Sequence, residues 1–240
     1  MKKISTETAG ELALKMRTNL RVCASEPLNM KTALRQLNVM AIYRPLSHEI
    51  WGLSLKSNDG KRFMLVNSNA TRGNQHFTIA HELFHLFYDG NPKPHFCKTC
   101  TAGNSAERSA NMFASALLMP KEGLSYNIPG RELIDKTVSI DTALRLEQLY
   151  GVSHSTLVVR LKELKLISDR NVRDLMDLSI RHEASLRGCD LSLYYKGNEN
   201  LVIGDYGAKA KRLFDEDRIS EGHYLELMRK IGYGEDKDNS

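Results

Sequence analysis

A chain of 240 residues, 41% hydrophobic and 26% charged, can bury an ordinary soluble core in one large domain or two small ones. A net charge of +5 permits nucleic-acid contact without demanding it, because binders concentrate their charge in a patch. No stretch reaches the roughly 18–20 uninterrupted apolar residues of a membrane span, and the opening MKKISTETAGELALKMR turns polar where a secretion signal needs an apolar run, so a cytoplasmic protein is expected.

Residues 7–22 read as an amphipathic helix, with Ala9, Leu12, Leu14, Met16 and Leu20 close to helical spacing, and residues 29–39 repeat the signal. Short apolar stretches follow. Asn58-Asp59-Gly60 between two of them is a hairpin signal, which predicts antiparallel strands over 50–57 and 61–67. Gly73-Asn74 then breaks the chain, with Asn74 the expected N-cap of a helix over HFTIAHELFHLFYD, residues 76–89. DGNPKPHFCKTCTAGN is dense in Gly, Pro and polar residues and reads as a loop. SAERSANMFASALLMP resumes a helix on Ala110, Phe113, Ala114, Leu117 and Leu118, and Pro120 closes it. Two helices separated by Gly151 are expected over 140–166, a charged helical region over 169–187, an extended one over 188–206 and a last helical pair over 207–231.

The 76–89 stretch places His81 and His85 four residues apart. In a helix that spacing turns side chains by about 40° and advances them about 6 Å, so both imidazoles face one point. Glu82 stands beside them, placed to reach a water on the metal rather than the metal. This is the H-E-x-x-H arrangement, in which two neutral imidazoles bind zinc and the glutamate serves as general base. The alternative is a core helix carrying two partly exposed histidines.

A catalytic zinc takes three protein ligands and leaves a fourth position open. Glu107 opens the next helix, 22 residues after His85, and Asn111 faces the same way four residues later. Glu107 would complete the site, and Asn111 would hydrogen-bond a ligand imidazole and fix its tautomer. The competing readings are a capping-box role for Glu107 with Asn104 and an ordinary polar face for Asn111. Zinc suits two imidazoles and a carboxylate, and manganese or iron is tolerated.

FTIAHELFHL followed by ERSANMFASALLMP resembles the ImmA/IrrE-type metallopeptidases, whose helices have the forms F-T-x-A-H-E-x-x-H and E-x-x-A-N-x-F-A-x-x-L-L-M-P. The likeness covers roughly residues 30–168, including YGVSHSTLVVRLKELKLI, and is fainter over GDYGAKAKRLFDEDRISEGHYLELMRK. Phe84 departs from the pattern, standing where many relatives have glycine.

The resemblance implies His81, His85 and Glu107 as metal ligands and Glu82 as catalytic base. It implies an α+β fold, a zincin-like metallopeptidase core over residues 1–125 with a small antiparallel sheet packed on helices. A helix-turn-helix-like segment over 126–168 and a mostly helical C-terminal region over 169–240 would follow. The function it implies is cleavage of a helix-turn-helix repressor, which derepresses phage, mobile-element or stress genes. The rivals are a non-catalytic regulator that binds DNA or a repressor, and one component of a toxin–antitoxin module.

Two features stand outside that reading. Cys23, Cys97, Cys100 and Cys189 are too few for a disulfide framework and should stay reduced. Cys97-x-x-Cys100 is half of a second zinc site, a redox switch or merely a loop; a thiolate reaching the catalytic metal would displace water and silence the enzyme. His154, Ser155, Thr156 and Arg160 would face a major groove if the segment bound DNA, although Leu157, Val158, Leu161 and Leu164 read as core. The sequence does not name the group that would stabilise an oxyanion; Tyr88 and His76 are nearby candidates.

Overall fold

The computed structural model describes residues 4–89, 95–98, 105–231 and 233. Two helices open the chain, α1 (Thr6–Asn19) and α2 (Met30–Gln36). Ser5 and Asn29 cap them, each side chain accepting the N–H three residues on. Strands β1 (Val39–Arg44), β2 (Ile50–Lys56) and β3 (Arg62–Asn67) follow, then α3 (Arg72–Phe87), the short β4 (His95–Lys98) and α4 (Ser105–Leu118). Six helices come next: α5 (Lys121–Asn127), α6 (Gly130–Asp135), α7 (Ile140–Tyr150), α8 (His154–Glu163), α9 (Asp169–Met176) and α10 (Ile180–Leu186). A 3-10 turn at Leu191–Tyr194, strand β5 (Val202–Ile203), α11 (Tyr206–Asp215) and α12 (Glu221–Arg229) complete the described chain. Among the described residues no helix is long and apolar enough to cross a membrane.

The architecture is α+β, a small sheet flanked by helices and followed by further helical segments. The strand order is β4-β2-β3-β1-β5. The expected hairpin is present: β2 and β3 pair antiparallel from Gly52 opposite Val66 to Lys56 opposite Arg62. Gly60 supplies the left-handed turn residue at φ +83°. The sheet as a whole corrects the expectation of an antiparallel one, because β1 pairs parallel with β3, Val39 beside Arg62 through Arg44 beside Asn67. The reason lies in the β1–β2 connection, which crosses the end of β3 instead of turning back on β1. Asn67 holds that crossing: its Oδ1 accepts from Leu46 N at 3.0 Å and its Nδ2 donates to Ser47 O at 3.1 Å and Ile50 O at 2.8 Å.

Helix α3 lies against β2 and β3 and meets α4 on its other side, while α1 packs against α4. Its N-cap is Thr71, not Asn74; the Thr71 hydroxyl accepts from Asn74 N. One turn in, Gln75 Nε2 donates to the carbonyls of Ser68, Ala70 and Gly197, which anchors the start of α3 to the loop before it and to the C-terminal region. Gly73 has no room for a side chain: a Cβ there would stand 2.7 Å from Ser153 N. Ile79, Leu83, Phe84 and Leu86 of α3 are buried with Ala110, Phe113, Ala114 and Leu117 of α4. Phe113 lies 5.6 Å from Phe84 and 5.3 Å from Tyr88, ring centre to ring centre. Each of the buried Ile, Leu and Phe side chains contributes about 1.5–3 kcal/mol by leaving water.

Arg17 is a buried charge inside this layer. Its guanidinium donates to Leu117 O at 2.7 Å and to the carbonyls of Cys23 and Glu26. Leu117 is in the last turn of α4, whose carbonyls have no partner within the helix, so Arg17 satisfies one of them from α1.

The C-terminal half differs from expectation in two places. Residues 188–206 hold the 3-10 turn and a two-residue strand on the edge of the sheet rather than a continuous extended run. In the α7–α8 pair, His154 and Arg160 point inward. His154 Nδ1 lies 2.6 Å from Glu147 Oε1, and Arg160 Nε donates to Met119 O. Neither faces a groove in DNA, which removes two of the four side chains of that reading.

Candidate metal centre

His81, Glu82 and His85 are all buried, at 2%, 0% and 5% exposure. Three polar groups this deep in an apolar helix are costly unless each has a partner of opposite character. The partner comes from α4. Glu107, also buried, places Oε2 3.3 Å from His81 Nε2 and Oε1 3.6 Å from His85 Nε2. The two Nε2 atoms lie 3.3 Å apart.

The far side of each ring is also engaged. His81 Nδ1 is 2.8 Å from Asn111 Oδ1, and His85 Nδ1 is 3.0 Å from Asp89 Oδ2. Both partners are acceptors, so each Nδ1 carries a proton and, in the neutral ring that a metal requires, each Nε2 is left with a lone pair. Two lone pairs and a carboxylate then converge on one point, an arrangement that calls for a cation between them. Tetrahedral bonds of about 2.0–2.2 Å separate ligand atoms by about 3.3–3.6 Å. The spacings across His81, His85 and Glu107 therefore match one ion of that size.

The electrostatics agree. Burial pulls the His81 pKa down, but hydrogen bonds with Cys97 and Glu107 and the nearby Glu82 charge outweigh it and hold the pKa well above the ordinary imidazole value. Negative donors crowd this ring and favour a positive charge beside it.

Glu82 faces the sheet. A Cβ at Gly52 of β2 would stand 2.7 Å from Thr78 Cγ2 and 3.8 Å from Glu82 Cγ. Glycine at this position lets the strand pass directly over the helix at Glu82. A second group of donor atoms gathers on this side: His81, Glu82 and Cys97 bring ligand atoms within 4.8 Å of one another, all buried. Cys100 lies outside the described residues.

The structure thus brings together all five residues expected at the site: His81, Glu82, His85, Glu107 and Asn111. Two further groups do not join them. His76 Nδ1 is taken by Gly151 O at 2.8 Å, and the Tyr88 hydroxyl donates to Leu12 O at 3.3 Å. The expected capping partner of Glu107, Asn104, lies outside the described residues. Asp89 was not anticipated; its signal is present in the sequence, four residues beyond His85 and hence on the same face of the helix. Cys97 carries no comparable signal, because only pairing of β4 with β2 brings it to α3.

The family model Peptidase_M78, the IrrE N-terminal-like domain, matches residues 34–162, a span that contains both helices of the site. No curated protein matches the chain.

Proposed function

The chain belongs to the Peptidase_M78 family of IrrE N-terminal-like domains, and from that premise we propose that it is a zincin-like, metal-dependent endopeptidase that cleaves a helix-turn-helix transcriptional repressor. The observation that carries the reading is the convergence of His81 Nε2, His85 Nε2 and Glu107 at spacings of 3.3–3.6 Å. Those three side chains would hold one divalent ion, with zinc the best match to two imidazoles and a carboxylate. When bound, the ion supplies Lewis acidity to a peptide carbonyl and to a water.

The chain's own residues do the rest. Glu82, adjacent to His81 and outside the ligand set, takes the proton of the attacking water and passes it to the leaving amine. Asn111 and Asp89 hold the His81 and His85 rings with their Nε2 lone pairs toward the ion. The apolar packing of Phe84, Phe113 and Tyr88 fixes α3 against α4, so ligands from two helices keep one geometry. Free Cys23, Cys97 and Cys189 fit the reducing cytoplasm.

The repressor substrate rests on family membership. Its test is incubation of the purified protein with zinc and the repressor encoded beside its gene, next to Glu82→Gln. Cleavage at one site by the parent protein and none by the variant is expected. Equal cleavage by both would refute Glu82 as the base.

A further inference from the structure

Strand β4 is the chain's own segment laid on the outer edge of the sheet, antiparallel to β2, with Cys97 directly opposite Gly52. Residues directly opposite one another on antiparallel strands send side chains to the same face. At Gly52 that face is the one that meets Thr78 and Glu82 of α3. Glycine contributes nothing to fill this space, and Cys97 is aimed into it from the neighbouring strand. Its side chain is buried, 6% exposed. Buried free cysteines ordinarily pack as small apolar groups. This one sits with His81 and Glu82 in a buried set of donor atoms within 4.8 Å of one another.

The two donor sets share His81: His85 and Glu107 complete one, Glu82 and Cys97 the other. The Glu82 side is where a base must find its water, the position that three protein ligands leave open. We propose that Cys97 is a fourth protein ligand of the ion, its thiolate filling that open position so that β4 holds the centre in a closed, resting form. The inference rests on the reading of His81, His85 and Glu107 as ligands of one ion. Ligation forms a metal–sulfur bond, displaces one water and releases the thiol proton to solvent. It also removes the nucleophile from beside Glu82, so peptide hydrolysis requires β4 to withdraw from β2. Four protein ligands close a zinc site, whereas three leave it open to substrate.

The test is cobalt(II) substitution of the full chain, read by absorption, in the parent protein and in Cys97→Ser, Cys97→Ala, Cys100→Ser and Cys189→Ser. The parent protein should show visible d–d bands together with a near-ultraviolet thiolate-to-cobalt charge-transfer band. Both Cys97 variants should lose the charge-transfer band and keep the d–d bands, with the other two variants unchanged. In the zinc-loaded parent protein, X-ray absorption should show one sulfur at about 2.3 Å, a readout that needs no variant to fold. Visible bands with no charge-transfer band, and a zinc shell of nitrogen and oxygen alone, would overturn the inference and leave the three-ligand reading standing. A charge-transfer band that survives in both Cys97 variants and vanishes in Cys100→Ser would overturn it in favour of another cysteine. A parent protein that binds no cobalt would overturn both this inference and the reading beneath it.

Discussion

His85 Nδ1 stands 3.0 Å from Asp89 Oδ2, one turn further along the same helix. The carboxylate fixes the imidazole with its proton on the far side from Glu107 and raises the basicity of Nε2. Removing such a partner of a ligating histidine typically costs 10–100-fold in metal affinity. Asp89→Ala should therefore weaken zinc binding by about that factor, with Asp89→Asn milder because its amide oxygen still accepts. Competitive zinc titration against a chelating dye checks it, and unchanged affinity in Asp89→Ala would show that the contact does not orient the ring.

Much of this site is legible in the sequence, for a physical reason. Ligands four apart on one helix, and a glutamate and asparagine four apart on the next, are local patterns that only require both helices to pack. Asp89 follows the same rule and was equally readable. Cys97-x-x-Cys100 raises the prospect of a thiolate at the metal. The place of Cys97 beside His81 was not readable, because it depends on β4, in a stretch that reads as a loop, pairing with β2, a contact between segments some forty residues apart. The sheet shows the same division. The β2–β3 hairpin is written in Asn58-Asp59-Gly60, whereas parallel pairing of β1 with β3 depends on Asn67 holding a connection that crosses between them. Thr71 displaces Asn74 as N-cap because α3 begins three residues earlier than periodicity alone suggests. In α8, His154 resembles a surface residue in sequence and is buried only because Glu147 lies one helix earlier to meet it.

Gly52 tests how closely the sheet must lie on α3. Its substitution by alanine drives a methyl to 2.7 Å from Thr78 Cγ2, itself buried, and toward Glu82. Overpacking of this kind costs about 1–3 kcal/mol. Gly52→Ala should lower the denaturation midpoint and reduce peptide cleavage more than zinc affinity, since the clash falls on Thr78, one turn before Glu82 on α3, and on the Leu65 carbonyl rather than on His81, His85 or Glu107. Chemical denaturation alongside a cleavage assay separates the two effects, and full stability would mean that the strand has slack.

The His154–Glu147 pair predicts a pH dependence. Burial lowers the His154 pKa, but the hydrogen bond and charge of Glu147, with the Leu175 carbonyl on Nε2, raise it on balance. A histidine pKa raised by folding stabilises fully below the unfolded value near 6.5, and that contribution is lost as pH rises through the folded value. Tyr194, whose hydroxyl donates to Glu147 Oε2 at 2.9 Å, supports the carboxylate from its other oxygen. The zinc-saturated protein should melt at progressively lower temperature as pH rises above 6.5. His154→Gln should flatten that slope and cost on the order of 2 kcal/mol at acidic pH. A slope that is unchanged in the variant would assign the titration elsewhere.

The most direct test of the account is zinc stoichiometry after saturation and gel filtration, measured by atomic emission in the parent protein, Glu82→Gln, and the His81→Ala, His85→Ala double variant. One zinc per chain is predicted for the parent and for Glu82→Gln, and none for the double variant. Zinc retained at one per chain without His81 and His85, or a parent protein that holds no zinc, would contradict a centre built from these residues.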